Sequence, residues 1–350
     1  MMPLMHTRWF SHGFRRLAFA VLISGLLCTP VSAEKQKKDN IQKPMAGPRA
    51  TALRVTWLYI SPDQGAQKVD RVQIGREMVV AEKSGNWLRV YANTDVEEVA
   101  NERDTPLIGS DNSTPPPISG WMEARGVVIE TTPDGDQVIM GEAANEEALA
   151  SDPRGPAQAA QSARLLYRRV VEMFPNSTLA AEAAWRAADI QWQIQKSEQA
   201  SRPSAKEQKA YMREGMDEDA MKKVLKFYPH TKQADMAAFA LLDNKLCGDW
   251  QGQEKCPEKE AELYEKYAAE HPDSPRTAKA LYEAVYRYAV LVDMYNADNS
   301  DKKVDGAKGH GRELAGRLKE KFSQTDFATR AAALIFKLDQ GIPVYGIDRQ

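Results

Sequence analysis

The chain has 350 residues, 47 Lys and Arg against 49 Asp and Glu, and a formal net charge of −2. Without a cationic surplus to neutralise phosphates, it argues against nucleic acid as a partner. Hydrophobic residues at 43% and charged residues at 27% describe an ordinary folded chain, long enough for two domains.

Residues 1–33 carry the marks of an export signal. Arg8, Arg15 and Arg16 precede the apolar run Leu17–Leu27, and Val31-Ser32-Ala33 supplies small residues ahead of a polar stretch. The run is too short to span a bilayer, so cleavage near Ala33 is expected, leaving a periplasmic or secreted bacterial chain with no transmembrane segment. Leu27 before Cys28 argues against a lipoprotein site, while Arg15-Arg16 leaves a twin-arginine route open. Cys247 and Cys256 then remain as a pair with eight residues between them. In an exported protein such a pair predicts a disulfide. A metal site is the competing reading, but no His or third Cys lies near enough in sequence to complete a tetrahedral set. No metal and no cofactor is expected.

Residues 34–48 are polar and aperiodic and read as a disordered tether. From 49 to 130 the texture is β. The runs Ala52–Ile60, Arg71–Ile74, Glu77–Ala81, Trp87–Tyr91 and Gly126–Ile129 are rich in Val, Ile, Leu and aromatic residues, and turn-forming phrases separate them. Residues 93–117 form a long polar insertion that ends in Pro115-Pro116-Pro117. Residues 131–156, rich in Gly, Pro and acids, read as a linker with room for a short helix at Glu142–Ala150.

Within this β segment stand Leu58-Tyr59-Ile60-Ser61-Pro62, then Ile74-Gly75 and Met78-Val79-Val80, then Gly85-Asn86-Trp87-Leu88-Arg89-Val90, and finally Gly120-Trp121-Met122. In order and spacing they resemble the bacterial SH3-type domain over about 80 residues apart from the insertion, although the Arg-Ser-Gly usual after its first strand is absent. The resemblance implies a small β-barrel that binds cell-wall peptide or polysaccharide. It implies core places for Trp87 and Trp121, and Tyr59 and Tyr91 are the expected exposed ligand contacts.

Helices follow from 157. Ala157–Phe174 places Ala160, Ala163, Leu166, Val170 and Met173 on one face. One phrase then recurs four times: FPNSTLAAEAAW from Phe174, YPHTKQADMAAF from Tyr228, HPDSPRTAKALY from His271 and FSQTDFATRAAA from Phe322. Pro175, Pro229 and Pro272 stop one helix, and Ser177, Thr231, Ser274 and Thr325 are placed to cap the next. The expected helices are 178–195, 205–228, 232–246, 258–271, 275–295, 312–322 and 326–339. Recurrence of a helix-stop, helix-start phrase predicts stacked helical hairpins over 157–340, with 341–350 as a tail. Successive copies lie 54, 43 and 51 residues apart, unlike a strict tetratricopeptide array. The phrase resembles the tetratricopeptide-like repeats of periplasmic and outer-membrane assembly proteins, without their Leu-Gly-x-x-Tyr core. That resemblance implies a scaffold recruiting an envelope protein partner.

Catalytic constellations are sparse. His230 and His271 occupy slots of the repeated phrase that also hold other residue types, which suits packing or capping. There is no Gly-x-Ser-x-Gly elbow and no Cys–His pairing. Acidic residues alternate with Lys, as in Glu258-Lys259-Glu260 and Lys319-Glu320-Lys321, and read as solvated ion pairs. Gly306–Arg312 looks like a phosphate loop but lacks the preceding strand and the closing Lys-Ser or Lys-Thr. It reads as a flexible connection between helices. Trp185, Phe239 and Tyr282 hold equivalent repeat positions and are expected in the core between repeats. The competing expectation is a concave groove lined by Trp185, Trp192, Tyr282 and Tyr286 that grips an apolar helix or peptide.

The expected class is therefore α+β multidomain, a small SH3-like β-barrel followed by an all-α tetratricopeptide-like helical-hairpin solenoid. The expected role is an exported, non-enzymatic adaptor between peptidoglycan and an envelope protein. An accessory or degenerate cell-wall hydrolase, and a purely protein–protein scaffold, stand as alternatives.

Overall fold

A computed structural model of the chain describes residues 46–95, 118–201, 215–248, 250 and 252–345. The expected export signal, the tether up to 45, the insertion from 96 to 117, the start of the expected 205–228 helix and the tail beyond 345 lie outside the described residues.

Among the described residues the fold is mixed, with strands first and helices after. Strands β1 (Arg49–Ala52), β2 (Thr56–Tyr59), β3 (Lys68–Val72), β4 (Glu77–Ser84), β5 (Trp87–Ala92), β6 (Ile118–Glu123) and β7 (Val127–Ile129) make one sheet in the order β3-β2-β6-β5-β4-β1-β7. Every pairing is antiparallel. Alternation along each strand sends Ala50, Ala52, Leu58, Val72, Met78, Val80, Leu88, Val90, Ala92 and Met122 into one cluster, with Val127 and Ile129 packed against it. No helical side chain enters that cluster among the described residues, so the sheet covers its own inner face by curling.

Two strand expectations shift. The run expected over Ala52–Ile60 breaks at 53–55, where the chain leaves β4 and β7 as partners and takes up β3 and β6. The Leu53 amide bonds the Gly126 carbonyl at 2.9 Å within that break. The Arg71–Ile74 strand begins and ends earlier, because Gly75 turns the chain at φ +78° against helix 159–173. A Cβ on Gly75 would sit 2.7 Å from Cβ of Leu165, so only glycine fits there.

The expected linker is instead occupied by α1 (Gly135–Ser151), which starts well before the short helix read from sequence. Its apolar stripe is narrow: Ile139 and Ala143 are buried against Val128 of β7 and the following helix. So thin a stripe among Glu, Gly and Ala conceals the helix from a periodicity search.

Helices α2 (Ala159–Met173), α3 (Ala180–Ser201), α4 (Asp219–Phe227), α5 (Lys232–Ala240), α6 (Lys255–Glu270), α7 (Thr277–Ala297), α8 (Asp301–Lys321) and α9 (Asp326–Asp339) complete the described fold. The four phrase copies join them in pairs, and all four close the first helix in one backbone state. Phe174, Tyr228, His271 and Phe322 have φ of −128°, −128°, −127° and −131°. Thr231 and Thr325 accept from the amides of Ala234 and Ala328 as side-chain caps. Ser177 and Ser274 instead accept from the amides of Leu179 and Arg276 two residues on.

Three cores follow in chain order: one beneath α1–α3 and β7, one between α3, α4 and α5, and one shared by α5 through α9. Neighbouring α3 residues Ala187 and Ala188 serve the first and second cores, and α5 residues Ala237 and Phe239 serve the second and third. Helices α3 and α5 thus hide apolar surface on two sides.

The expected flexible connection at Gly306–Arg312 lies inside α8, which begins at Asp301 rather than near 312. Val304, Ala307, Gly311, Leu314 and Leu318 form its buried face at spacings of four and three. That stripe outweighs the glycines. The helix expected over 232–246 ends at Ala240 and passes into a short 3-10 turn at Asp243–Lys245.

Candidate functional site

The outer face of the sheet follows from the inner one. Because Leu58 points into the core, Trp57 and Tyr59 of β2 point out. Because Leu88, Val90 and Ala92 point in, Trp87, Arg89 and Tyr91 of β5 point out, and Met122 likewise turns Trp121 of β6 outward. Tyr59 pairs with Trp121, Trp121 with Arg89, and Tyr91 with Ser119 across adjacent strands. The Tyr59 ring meets the Trp87 ring edge-on with centroids 5.6 Å apart. The result is a continuous aromatic face across β2, β6 and β5. Gly120 permits it, since a Cβ there would lie 2.9 Å from Cβ of Leu58 and force β6 away from β2.

Charges rim this face. Glu123 accepts from Gln64 and, at 3.3 Å, from Arg54. Arg89 reaches Glu82 only at 3.9 Å and in solvent, a contact worth little. Lys68 Nζ stands 4.6 Å and the Arg71 guanidinium carbon 5.2 Å from the centroid of Trp57. The face offers ring surfaces, indole N–H groups, hydroxyls and cations. Such groups bind a ligand by stacking and hydrogen bonding.

Of the residues singled out in the sequence, Tyr59 and Tyr91 stand on this one face, half-buried, with Trp121 on the strand between them. Trp87 and Trp121, expected in the core, are half-buried on the outer face instead. The alternation of Trp87 with Leu88 and of Trp121 with Met122 was the signal that could have placed them.

The four aromatics of the expected helical groove do not converge. Trp185 and Trp192 belong to the α3–α5 core, Tyr282 and Tyr286 to the α5–α9 core. Trp192 is buried and its indole nitrogen donates to Asp243 at 3.3 Å. Tyr282 is buried under Arg330, whose guanidinium carbon is 4.2 Å from the ring centroid. Tyr286 is half-buried beside Trp250, centroids 6.1 Å apart. Trp185 is half-buried against the α3–α5 core. These rings are packing elements, as repeat equivalence led one to expect for Trp185 and Tyr282.

A concavity does exist elsewhere in the helical part, between α2, α3 and α4. It measures about 790 Å³, and its lining includes Val171, Ala184, Ala188, Val224 and Phe227 together with Arg168 and Asp219. A groove of that size and mixed lining suits a peptide side chain or a helix edge.

Sequence reasoning missed a buried ionic junction between sheet and helices. Arg169 of α2, fully buried, donates to the Gly75 carbonyl at 3.0 Å and to Asp95 at 2.8 Å, and also pairs with Glu172. Arg76 donates to the other Asp95 oxygen at 2.8 Å. Arg49 joins Glu77 and Glu172. Arg168 donates to Glu172 at 3.1 Å, so four guanidinium groups face three carboxylates. A network of paired charge of this kind fixes a junction. Its members span 49 to 172 in sequence, and no local pattern announces them.

The other notable polar groups are structural too. His271 Nδ1 lies 2.7 Å from Asp235, its ring tilted by 31° against that of Tyr267, so it ties α5 to the next turn. The Tyr267 hydroxyl donates to the Asp235 carbonyl at 2.8 Å, and burial pushes that phenol up to about 12. The disulfide expected from the cysteine pair is present, with Cys247 and Cys256 Cα atoms 5.9 Å apart. Glu260 receives the Cys247 amide at 2.8 Å and Arg287 at 3.0 Å. His310 stacks on Tyr288, and His230 is exposed at φ +63° in its turn. Among the described residues no cluster of His, Cys, Asp and Glu could hold a metal ion. No helix among them is long and apolar enough to cross a membrane.

Comparison with known proteins adds no relative. No family model matches the chain, and no curated protein matches it. Among solved structures, a chain of a protein titled "DHF79 filament" aligns at 14% identity over 58% of this chain and 99% of its own length, with a TM-score of 0.20. So low a structural similarity carries no information about fold or role.

Proposed function

We propose that this chain is an exported, non-enzymatic adaptor. The curled sheet acts as an SH3-like barrel that contacts cell-wall polymer, and the paired helices act as tetratricopeptide-like hairpins that hold an envelope protein. The observation that carries this reading is the aromatic face formed by exposed Trp57 and half-buried Tyr59, Trp87, Tyr91 and Trp121. Stacking platforms of this kind suit sugar rings and extended peptide, the two constituents of peptidoglycan. The helical half rests on four helix pairs joined by one repeated turn, and on the groove between α2, α3 and α4 as the place for a protein segment.

The test is co-sedimentation of the mature chain with purified peptidoglycan sacculi, beside a variant carrying Tyr59→Ala and Tyr91→Ala. Retention of the parent, lost by about tenfold or more in the variant, supports the wall-binding face. Absence of retention, or equal retention of both, removes it. Release of soluble muropeptides by the parent chain would replace the adaptor with the hydrolase alternative.

A further inference from the structure

The two edges of the sheet are treated differently. At the β7 end of the sheet, Val128 packs against Ile139 of α1, so a helix lies beside that strand. At the other edge, β3 has β2 on one side and no strand on the other among the described residues. An unpaired edge displays backbone N–H and C=O groups to any extended chain.

This edge also gathers apolar surface. Of the nine large hydrophobic residues exposed among the described residues, four lie on or beside β2 and β3: Val55, Trp57, Ile60 and Val69, between 38% and 61% exposed. Isolated exposed hydrophobics are ordinary, but a cluster at a bare edge marks a contact surface. The cations there are uncommitted. Lys68 and Arg71 meet the ring of Trp57 and pair with no carboxylate among the described residues. Asp70 lies between them, but it pairs with core-facing Leu58 and therefore turns to the opposite face.

We propose that the outer edge of β3 receives an extended segment of a protein partner in which acidic and apolar side chains alternate. The segment would add as a strand that follows the register of β2, in which residues two apart face Arg71 and Lys68 across the bulged Val69, so that both of those positions carry carboxylates and the apolar residue between them turns to the other face. Charge selects this occupant over a second copy of the chain. In the symmetric antiparallel register centred on Val69 and Asp70, a second β3 would set Lys68 directly against Arg71, twice. Like charges directly opposite each other destabilise a strand pair. The edge is thus guarded against itself and open to an acidic strand.

The probe is a fluorescein-labelled peptide alternating glutamate and valine, with a lysine–valine peptide as its counterpart, titrated into the full chain by fluorescence anisotropy. The glutamate peptide is expected to bind, the lysine peptide is not, and binding should slow amide exchange within 68–72. The double variant Lys68→Glu, Arg71→Glu should lose the glutamate peptide by about tenfold or more and gain the lysine peptide, since two attractive cross-strand pairs become repulsive. Both positions are exposed, and a thermal melt of the variant checks its fold. Failure of the glutamate peptide to bind, equal binding of both peptides, or protection confined to another segment overturns the proposal. So does capture of the chain by anionic phosphatidylglycerol vesicles through these cations when the peptide does not bind. Tyr91→Ala, on β5 and away from the β3 edge, reads the wall-binding face separately: it should weaken sedimentation with sacculi and leave the glutamate peptide bound, so the two ideas fail independently.

Discussion

Three glycines of α8 give a direct measurement of how that segment is built. Gly306, Gly309 and Gly316 sit on the face of α8 opposite Val304, Ala307, Gly311, Leu314 and Leu318, and a Cβ added to any of the three meets nothing within 4 Å. In a helix interior each glycine costs about 0.8–1 kcal/mol relative to alanine, through the entropy of the unfolded chain and exposed backbone. Replacement by alanine should return that amount at each site, because no side chain has to move. The sites share no partner, so the triple variant should gain about 2–3 kcal/mol. For a cooperative unit of about 300 residues the unfolding entropy is about 0.6 kcal/mol/K, which converts to a rise of about 4 °C in Tm for the triple variant. Thermal melts followed by far-ultraviolet circular dichroism read both the shift and any change in helix content. Gly75→Ala supplies the contrast: its φ of +78° and the 2.7 Å approach of Leu165 should make it destabilising by about 2 kcal/mol or more. A triple variant with unchanged or lowered Tm would refute the continuous helix over Asp301–Lys321. It would return the segment to the flexible connection that its glycines suggest.

Other outcomes follow from buried charge, crosslinking and phenols. Asp95→Asn leaves Arg169 and Arg76 without their shared carboxylate and should cost about 3–5 kcal/mol in urea unfolding. Asp95→Asn combined with Arg169→Met should cost less than the two single effects added, because their interaction is lost only once. Cys247→Ser with Cys256→Ser opens a short loop and should lower stability by about 2–3 kcal/mol, an effect that reducing agent reproduces in the parent chain. Burial holds the Tyr267 phenol up at about 12, and raises Tyr264, Tyr288 and Tyr295 as well. A folded-state pKa above the unfolded one means that this stabilisation is complete below about pH 10 and is lost as pH rises through the folded value. Stability should therefore fall steeply on the alkaline side, in step with tyrosinate absorbance. Tyr267→Phe should flatten the fall, and an unchanged alkaline slope would refute the assignment.

What could be read from the sequence was whatever repeats or alternates. The phrase at Phe174, Tyr228, His271 and Phe322 announces four helix junctions because each copy solves one problem, stopping a helix and capping the next. The β texture before residue 130 and the Cys247–Cys256 bridge were legible for equally local reasons. Where the pattern is thin or the cause distant, the sequence misleads. The buried stripe of α1 rests on Ile139 and Ala143, too few to stand out against Gly, Asp and Glu. The glycines of α8 hide a sound stripe of Val304, Ala307, Leu314 and Leu318. On the outer sheet face, Tyr59 and Tyr91, expected as exposed ligand contacts, stand half-buried, while Trp87 and Trp121 were assigned to the core by the resemblance to the SH3-type domain. Strand alternation overrides that assignment once Leu88 and Met122 are seen to point inward. Asp95, Arg169 and Arg76 carry no sequence signal at all, since the fold alone brings them together.

The ionic junction also bears on what an adaptor of this design can do. Two modules on a flexible linker would offer partners a range of separations, and their joint affinity would depend on linker length. Here α1 fills the expected linker, Gly75 lets Leu165 seat against the turn after β3, and Arg169 reaches from α2 to the Gly75 carbonyl. Replacing the buried charges with apolar groups of similar volume could match their stability, so stability is a weak reason for their presence. Their directional demand is different: Arg169 must find Gly75, Asp95 and Glu172 at once, and a slipped junction would strand a buried guanidinium. The junction therefore specifies one relation of sheet to helices, whereas apolar contact would tolerate several. The aromatic face lies on β2, β6 and β5, while the sheet elements packed on α1 and α2 are β7 and β1. A ligand on that face and a segment in the groove between α2, α3 and α4 would thus be held at one distance and orientation. If the proposed adaptor role holds, the molecule would set geometry between its two partners, beyond merely raising their local concentration.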